Sequence, residues 1–226
     1  MNISPTAPVA AETAGHLFPP TGVRAVVFDV VGTLVEPWPP VAVAYADVAA
    51  RHGIATDTAA IAARFRAAWR RQEAVDAGSA PPFATSRSRE AGRWRAIVAD
   101  VFSAAPQSEA IFAELWDHFA TPAAWRPLAA GSGLVRAARQ AGATVVLASN
   151  FDERLLAIAP QIEPLSLAGH VFASSELGWR KPAPEFFREI EARLGCEPEE
   201  LLLVGDDPEL DIVAARRAGW RSLQIG

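Results

Sequence analysis

The chain has 226 residues, half of them hydrophobic, and a formal net charge of −5. That length suits one large α/β domain or a core with a smaller insert, and the acidic balance argues against nucleic acid or an anionic membrane as the main partner. Its single cysteine, Cys196, excludes an intramolecular disulfide and a cysteine-based metal cluster, so a reducing cytoplasm is the expected compartment.

Residues 1–22 carry neither a basic start nor a continuous apolar run and read as a flexible tail, not a signal peptide. No segment approaches the roughly 18 apolar residues of a membrane span. The first apolar run, Arg24–Phe28, reads as a buried strand. From Pro37 to about Leu128 no strand pattern follows. Helical periodicity is found instead at Val41–His52, Thr58–Glu73, Arg89–Phe102 and Glu109–Phe119, with Asp76–Arg87 as a connecting loop. Residues 37–128 are therefore expected to form an all-helical cap over the carboxyl edge of a sheet, where open α/β sheets bind ligands.

The strand and helix patterns alternate after that. A helix after Gly133 closes at Gly142, then come strands at Thr144–Ala148 and His170–Ala173. A helix from Pro184 closes at Gly195, the strand Leu201–Val204 follows, and a helix after Pro208 closes at Gly219 before a last strand, Ser222–Ile225. Residues 23–36 and 129–226 thus predict an α/β core, a parallel sheet flanked by helices.

Within the insert, Phe65, Trp69, Trp94, Phe112 and Trp116 fall at helical spacing among alanines, which is the pattern of core residues. Arg64, Arg66, Arg70 and Arg71 read as a solvated face, any one of which can turn inward to an anionic substrate. His52, His118 and His170 show no spacing that suggests a metal site.

Chemistry gathers at the strand ends. Asp29 ends the first strand and can attack phosphorus or carbon to form an ester intermediate, while Gly32 lets the chain turn beside it and Thr33 offers a hydroxyl and backbone N–H. Ser149 ends the next strand and can donate to a phosphoryl oxygen. Asn150 follows it, and Asp152 reads as the N-cap of the helix beyond. Lys181 is the only lysine among 21 basic residues. A compact ammonium fits a tight pocket that a guanidinium fork does not, and it can neutralise both a nucleophile and developing charge. Asp206 and Asp207 follow the strand Leu201–Val204. Asp29 and Asp206 together would offer magnesium the hard oxygen ligands it takes, Asp207 reads as a helix cap before Pro208, and Asp211 would steady the site from behind.

The strings containing Asp29-x-x-Gly32-Thr33, Ser149-Asn150, Lys181-Pro182 and Gly205-Asp206-x-x-x-x-Asp211, in that order around a helical insertion, resemble the haloacid dehalogenase-like hydrolase superfamily. The resemblance spans about Val23 to Gly226. The segments SNFDERL and SELGWRKPAPEFF are similar to the subgroup of rhythmically expressed gene 2-like proteins. It implies a three-layered Rossmann-like core with a helical cap, magnesium dependence and hydrolysis of a small phosphorylated metabolite through an aspartyl-phosphate. By the same match Asp29 is nucleophile and metal ligand, the Val31 carbonyl and Asp206 ligate magnesium, and Gly32, Thr33, Ser149, Asn150 and Lys181 bind the phosphoryl group.

Phosphatases of this superfamily carry a second aspartate where this chain has Val31. That residue protonates the leaving oxygen, so its absence should handicap poor leaving groups. Two other activities fit the same pattern. One is a 2-haloacid dehalogenase, metal-independent, with its ester on Asp29. The other is a domain that binds metal or a phosphorylated ligand with little or no turnover.

Overall fold

The structure, a computed structural model, describes residues 18–226. Most of the expected tail therefore lies outside the described residues. The chain runs β1 (Ala25–Phe28), β2 (Val35–Pro37), α1 (Val41–Arg51), α2 (Thr58–Ala77), α3 (Arg87–Val101), α4 (Ser108–His118), β3 (Trp125–Pro127) and α5 (Ala129–Gln140). It continues through β4 (Thr144–Ser149), α6 (Arg154–Ile158), β5 (His170–Ala173), α7 (Ser174–Leu177), α8 (Pro184–Leu194), β6 (Leu201–Gly205), α9 (Ala214–Arg217) and β7 (Arg221–Gln224).

Five strands form one parallel sheet in the order β5-β4-β1-β6-β7. Alternation of side chains along each strand divides the apolar residues between two layers. Val26, Phe28, Val145, Leu147, Leu202 and Val204 face one cluster. Ala25, Val27, Val146, Ala148, Leu201 and Leu203 face the other. Both faces being covered explains why these runs are continuously apolar. The four insert helices pack around a third cluster of their own, which includes Tyr45, Ile61, Ile97 and Ile111.

Local chemistry explains the helix ends. α8 begins with Pro184 and Glu185, buries Phe186, Phe187 and Ile190, and stops at Gly195 in the left-handed conformation. Asp57 caps α2 and Ser86 caps α3, each through its side chain.

The structure corrects four expectations. First, residues 37–128 are bounded by strands: β2 pairs antiparallel with β3, Val35 opposite Pro127. Each strand is three residues long and contains proline, so neither has a local signature. Their pairing is a long-range event at an edge, where proline is tolerated. Second, α5 starts at Ala129, ahead of Gly133. Gly131 sits inside the helix because an added Cβ would stand 2.2 Å from the Thr33 carbonyl oxygen, so the glycine permits close packing and marks no start. Third, α2 runs on through Asp76 to Ala77, since Asp76 is held by buried arginines instead of by solvent. Fourth, the helix after Pro208 is π-wound over Pro208–Val213 before α9.

Candidate active site at the carboxyl ends of three strands

The sheet order changes direction at β1, which lies between β4 and β6, and ligands of open α/β sheets bind at that point. Asp29 follows β1 directly, and its N–H donates to the Val204 carbonyl at 2.9 Å, which holds the residue in line with β6. The turn beyond it brings Gly32 against Asp206. Gly32 has φ +91°, and a Cβ there would lie 2.5 Å from Asp206 Oδ2, so both conformation and space demand glycine. Thr33 is buried and its hydroxyl donates to Asp206 Oδ1 at 2.8 Å. The hydroxyl expected to meet a phosphoryl group thus orients a carboxylate here. The Thr33 N–H meets no acceptor among the described residues.

Lys181 is 2% exposed. Its Nζ donates to Asp29 Oδ1 at 2.6 Å and to Asp211 Oδ1 at 2.5 Å. Asp211 therefore touches the ammonium itself, more intimately than a residue behind the site. Gly205 lets it approach, because a Cβ at Gly205 would lie 2.2 Å from Asp211 Oδ2. Burial alone would lower the lysine's affinity for its proton, but Asp29 and Asp211 outweigh it and hold the ammonium charged well above the ordinary lysine range. Burial pushes Asp29 up to about 6, a rise opposed by Lys181 and reinforced by Asp211. Burial also raises Asp206, against the hydrogen bond from Thr33.

Ser149 is buried at the end of β4 and its hydroxyl meets no described partner. Asn150 lines the cavity over the strand ends and also holds the loop of the lysine. Its Nδ2 donates to the Lys181 carbonyl at 3.0 Å and its Oδ1 accepts the Lys181 N–H at 2.7 Å. Both ends of the amide are spent on holding the backbone of the lysine, because the two strand-end loops run side by side. Asp152 accepts the Arg154 N–H, as a cap would, but its two oxygens mainly clamp the Arg154 guanidinium at 2.7 and 2.6 Å. Asp207 caps as expected, accepting from the N–H groups of Glu209 and Leu210.

The residue before the lysine carries a contact that sequence reasoning missed. Arg180, 1% exposed, reaches Glu90 of α3 at 2.6 Å and lies 3.6 Å from both Glu73 and Asp76 of α2. Arg93 pairs with Asp76 at 2.9 Å and with Glu73, and Arg89 with Asp76 at 3.0 Å. Three arginines thus face three carboxylates. Beside them Arg180 N–H donates to the Phe83 carbonyl and Thr85 N–H to the Gly178 carbonyl, at 3.0 and 2.8 Å. The helical insert is stitched to the loop that carries Lys181. Nothing in the spacing of these six charges marks them as partners, since only the docking of α2 and α3 on that loop assembles them.

A cavity of about 440 Å³ opens above the strand ends, with Val31 and Asn150 in its lining. Phe65, Trp69, Trp94, Phe112 and Trp116 line it from the insert, as well as packing on or within the insert's own cluster. The sequence pattern favoured core over ligand contact for them; they are also cavity wall. Arg66 and Arg70 line it too, whereas Arg64 donates to the Val101 carbonyl and Arg71 pairs with Asp100. Val31 is 36% exposed and turns its side chain toward this space.

The leftover oxygen atoms decide whether a cation fits. One oxygen from each of Asp29, Asp206 and Asp211 can be chosen so that all lie within 4.8 Å of one another. Asp211 is already committed, Oδ1 to Lys181 and Oδ2 to the Asp207 N–H at 3.1 Å. Asp29 Oδ2, Asp206 Oδ2 and the Val31 carbonyl accept no hydrogen bond from the described residues. Those are hard oxygen donors on one edge of the sheet, the donor chemistry that suits magnesium. His52 pairs with Glu114. Among the described residues no helix is long and apolar enough to cross a membrane.

This architecture has counterparts among known proteins. The chain is 30% identical to the human haloacid dehalogenase-like hydrolase domain-containing protein 3 over 216 residues, 90% of this chain and 82% of that protein. It is 26% identical to the rhythmically expressed gene 2 protein of Drosophila melanogaster over 218 residues, 89% and 82% of the two chains. A shorter stretch of 55 residues, 24% of each chain, is 46% identical to the glyceraldehyde 3-phosphate phosphatase of Methanopyrus kandleri. In fold the chain matches the L-2-haloacid dehalogenase of Xanthobacter autotrophicus with a TM-score of 0.67 at 18% identity, over 90% of this chain and 77% of that one. A family model for haloacid dehalogenase-like hydrolases matches residues 23–219, and the chain belongs to that family.

Proposed function

We propose that this hydrolase is a magnesium-dependent phosphatase of a small phosphorylated metabolite, working through an aspartyl-phosphate on Asp29. One observation carries the proposal: Asp29, Asp206 and Asp211 each bring an oxygen within 4.8 Å of the others, and the one ammonium among them, Lys181, pairs with Asp29 and Asp211, while Asp206 has only the Thr33 hydroxyl. When all three are ionised one lysine leaves two negative charges unbalanced; burial is the main reason Asp29 and Asp206 are raised, and repulsion from Asp211 adds to it in both. A divalent cation offsets those charges. The short likeness to a phosphatase points the same way.

In this proposal a carboxylate oxygen of Asp29 attacks phosphorus, the bond from phosphorus to the leaving oxygen breaks, and that oxygen departs with the electron pair. Water then cleaves the acyl phosphate, releasing inorganic phosphate and restoring Asp29. Lys181 holds Asp29 in position and offsets charge on the transferring group. Ser149 and the Thr33 N–H donate to phosphoryl oxygens, and Asn150 fixes the lysine's backbone. Asp29, Asp206 and the Val31 carbonyl would hold magnesium, which supplies charge neutralisation to the phosphoryl oxygens. Residues 37–128 act as the cap.

Val31 beside an apolar wall also suits displacement of halide from a 2-haloacid, the second activity to be tested. A panel of phosphate esters, acyl phosphates and 2-haloacids, each with magnesium or excess chelator, separates the two. Phosphate release that needs magnesium supports the phosphatase. Asp206→Asn should abolish both that activity and the stabilisation of the fold by magnesium. Full activity in chelator sinks it, and chelator-resistant halide release establishes the dehalogenase.

A further inference from the structure

Two observations about the same space narrow the substrate. Val31, 36% exposed, lines the base of the cavity, and the one carboxyl in the lining, Asp152, is clamped to Arg154 by both oxygens, so no lining carboxyl is free to protonate a leaving oxygen. A leaving group must then be stable as an anion without help, which excludes simple alkoxides and admits phenolates, enolates and carboxylates. Above it the wall is aromatic: Phe65, Trp69, Trp94, Phe112, Trp116 and Trp125 line the space.

The charge deep in that wall is already spoken for. Arg154 is clamped by both oxygens of Asp152, donates to the Trp116 carbonyl at 3.0 Å, and lies 3.7 Å over the Trp116 ring. It presents a neutral pair, not a free cation, to whatever enters. The Tyr45 phenol, buried in the same wall, is held above the ordinary tyrosine range by burial, so it stays neutral too. The other two guanidiniums in the lining, Arg66 and Arg70, are solvent-exposed, so the hydroxyls of a sugar phosphate set against the rings would go unpaired, at a cost set by desolvation. At about 440 Å³ the cavity falls within the roughly 300–1,000 Å³ of small-molecule sites. Its planar walls suit ring stacking.

We infer that the substrate is a phosphate monoester of a bulky aromatic alcohol, an aryl phosphate whose ring system fills the cavity between the insert helices and Val31. The inference rests on the phosphatase proposal. Asp29 attacks phosphorus, the P–O(aryl) bond breaks, and the electron pair leaves on the phenolate oxygen, where ring delocalisation stabilises it. Water then frees phosphate from Asp29, so ester and water become phenol and inorganic phosphate.

The test compares four substrates with magnesium present: 2-naphthyl phosphate, phenyl phosphate, octyl phosphate and acetyl phosphate. Naphthyl and phenyl esters share leaving-group chemistry and differ in how much of the cavity they fill. Octyl fills it with a poor leaving group, and acetyl is a good leaving group that leaves it empty. The expected result is a kcat/KM for 2-naphthyl phosphate about 10-fold or more above phenyl phosphate, the low end of the roughly 10–200-fold that apolar pocket contacts confer. Octyl phosphate should be slowest. Val41 also lines the cavity, and Val41→Trp, which adds bulk to the wall, should reduce the naphthyl-to-phenyl ratio. Independently of turnover, naphthylmethylphosphonate should quench the tryptophan fluorescence of the wild-type protein at lower concentration than methylphosphonate.

Hydrolysis of phosphates with naphthyl no better than phenyl, or with octyl or acetyl best, overturns this inference and leaves the phosphatase standing. Equal quenching by the two phosphonates overturns it as well. No hydrolysis of any phosphate overturns both.

Discussion

Replacing Lys181 by methionine keeps a long apolar stem and removes the ammonium. That ammonium lies 2.6 Å from Asp29 and 2.5 Å from Asp211, all three residues being buried. Removing one partner of a buried pair costs about 3–5 kcal/mol, because the charge left behind has neither water nor counter-ion. The lower end applies here. Burial has raised Asp29 to about 6, so near neutral pH it can relieve the repulsion by taking a proton. About 3 kcal/mol corresponds to a fall of roughly 6–12 °C in Tm for a chain of this size. Magnesium should restore part of that loss, and its stabilising effect should be larger in the variant than in the wild type, since two charges then replace one. Turnover should fall about 10²–10³-fold, the scale of losing one charge-stabilising donor. Lys181→Arg should share the catalytic defect, because a planar fork cannot take both short contacts in the same volume. Calorimetry in chelator and in magnesium, paired with steady-state kinetics, measures both effects. A Lys181→Met protein that melts with the wild type and turns over normally would refute the electrostatic account of the site.

Val31→Asp should speed hydrolysis of alkyl phosphates by up to about 10²–10⁴-fold, the range of acid–base assistance, while changing aryl esters little; equal effects on both would show that another group supplies the proton. The side chain's exposure lets a new carboxyl stay hydrated. Glu90→Gln should cost about 3 kcal/mol in chemical denaturation, since it strips Arg180 of its 2.6 Å partner; an unshifted midpoint would count against the ion cluster as a tether. Magnesium affinity should weaken as pH falls through about 6, because burial favours the neutral acid of Asp29 whereas a metal needs the anion. Titration calorimetry at two pH values checks this, and equal affinity would contradict it.

The parallel core was legible because its central strands are covered on both faces and so write continuous apolar runs, as in β1 and β6. The helices announced themselves by proline and glycine stops, most plainly around α8. Asp29 and Asp206 could be picked out because each stands at or just after the end of an apolar strand, and Lys181 because it is the only lysine. Each of those signals lies in the chain itself, in a residue's immediate neighbours or its rarity.

What the tertiary structure alone decided is which groups face each other. That the Asn150 amide grips the Lys181 backbone could not be read from the sequence. The β2–β3 ribbon had no signal, because two three-residue strands 90 positions apart exist only through their pairing. The Arg180 cluster joins residues from α2, α3 and the lysine loop, and an arginine bound for burial looks in sequence like one bound for solvent. The same holds for the aromatic stripe of the insert. Helical periodicity tells which residues share a face, but not whether that face meets another helix or an empty space large enough for a ligand. That depends on the long-range docking of the insert over the sheet, which no local pattern encodes.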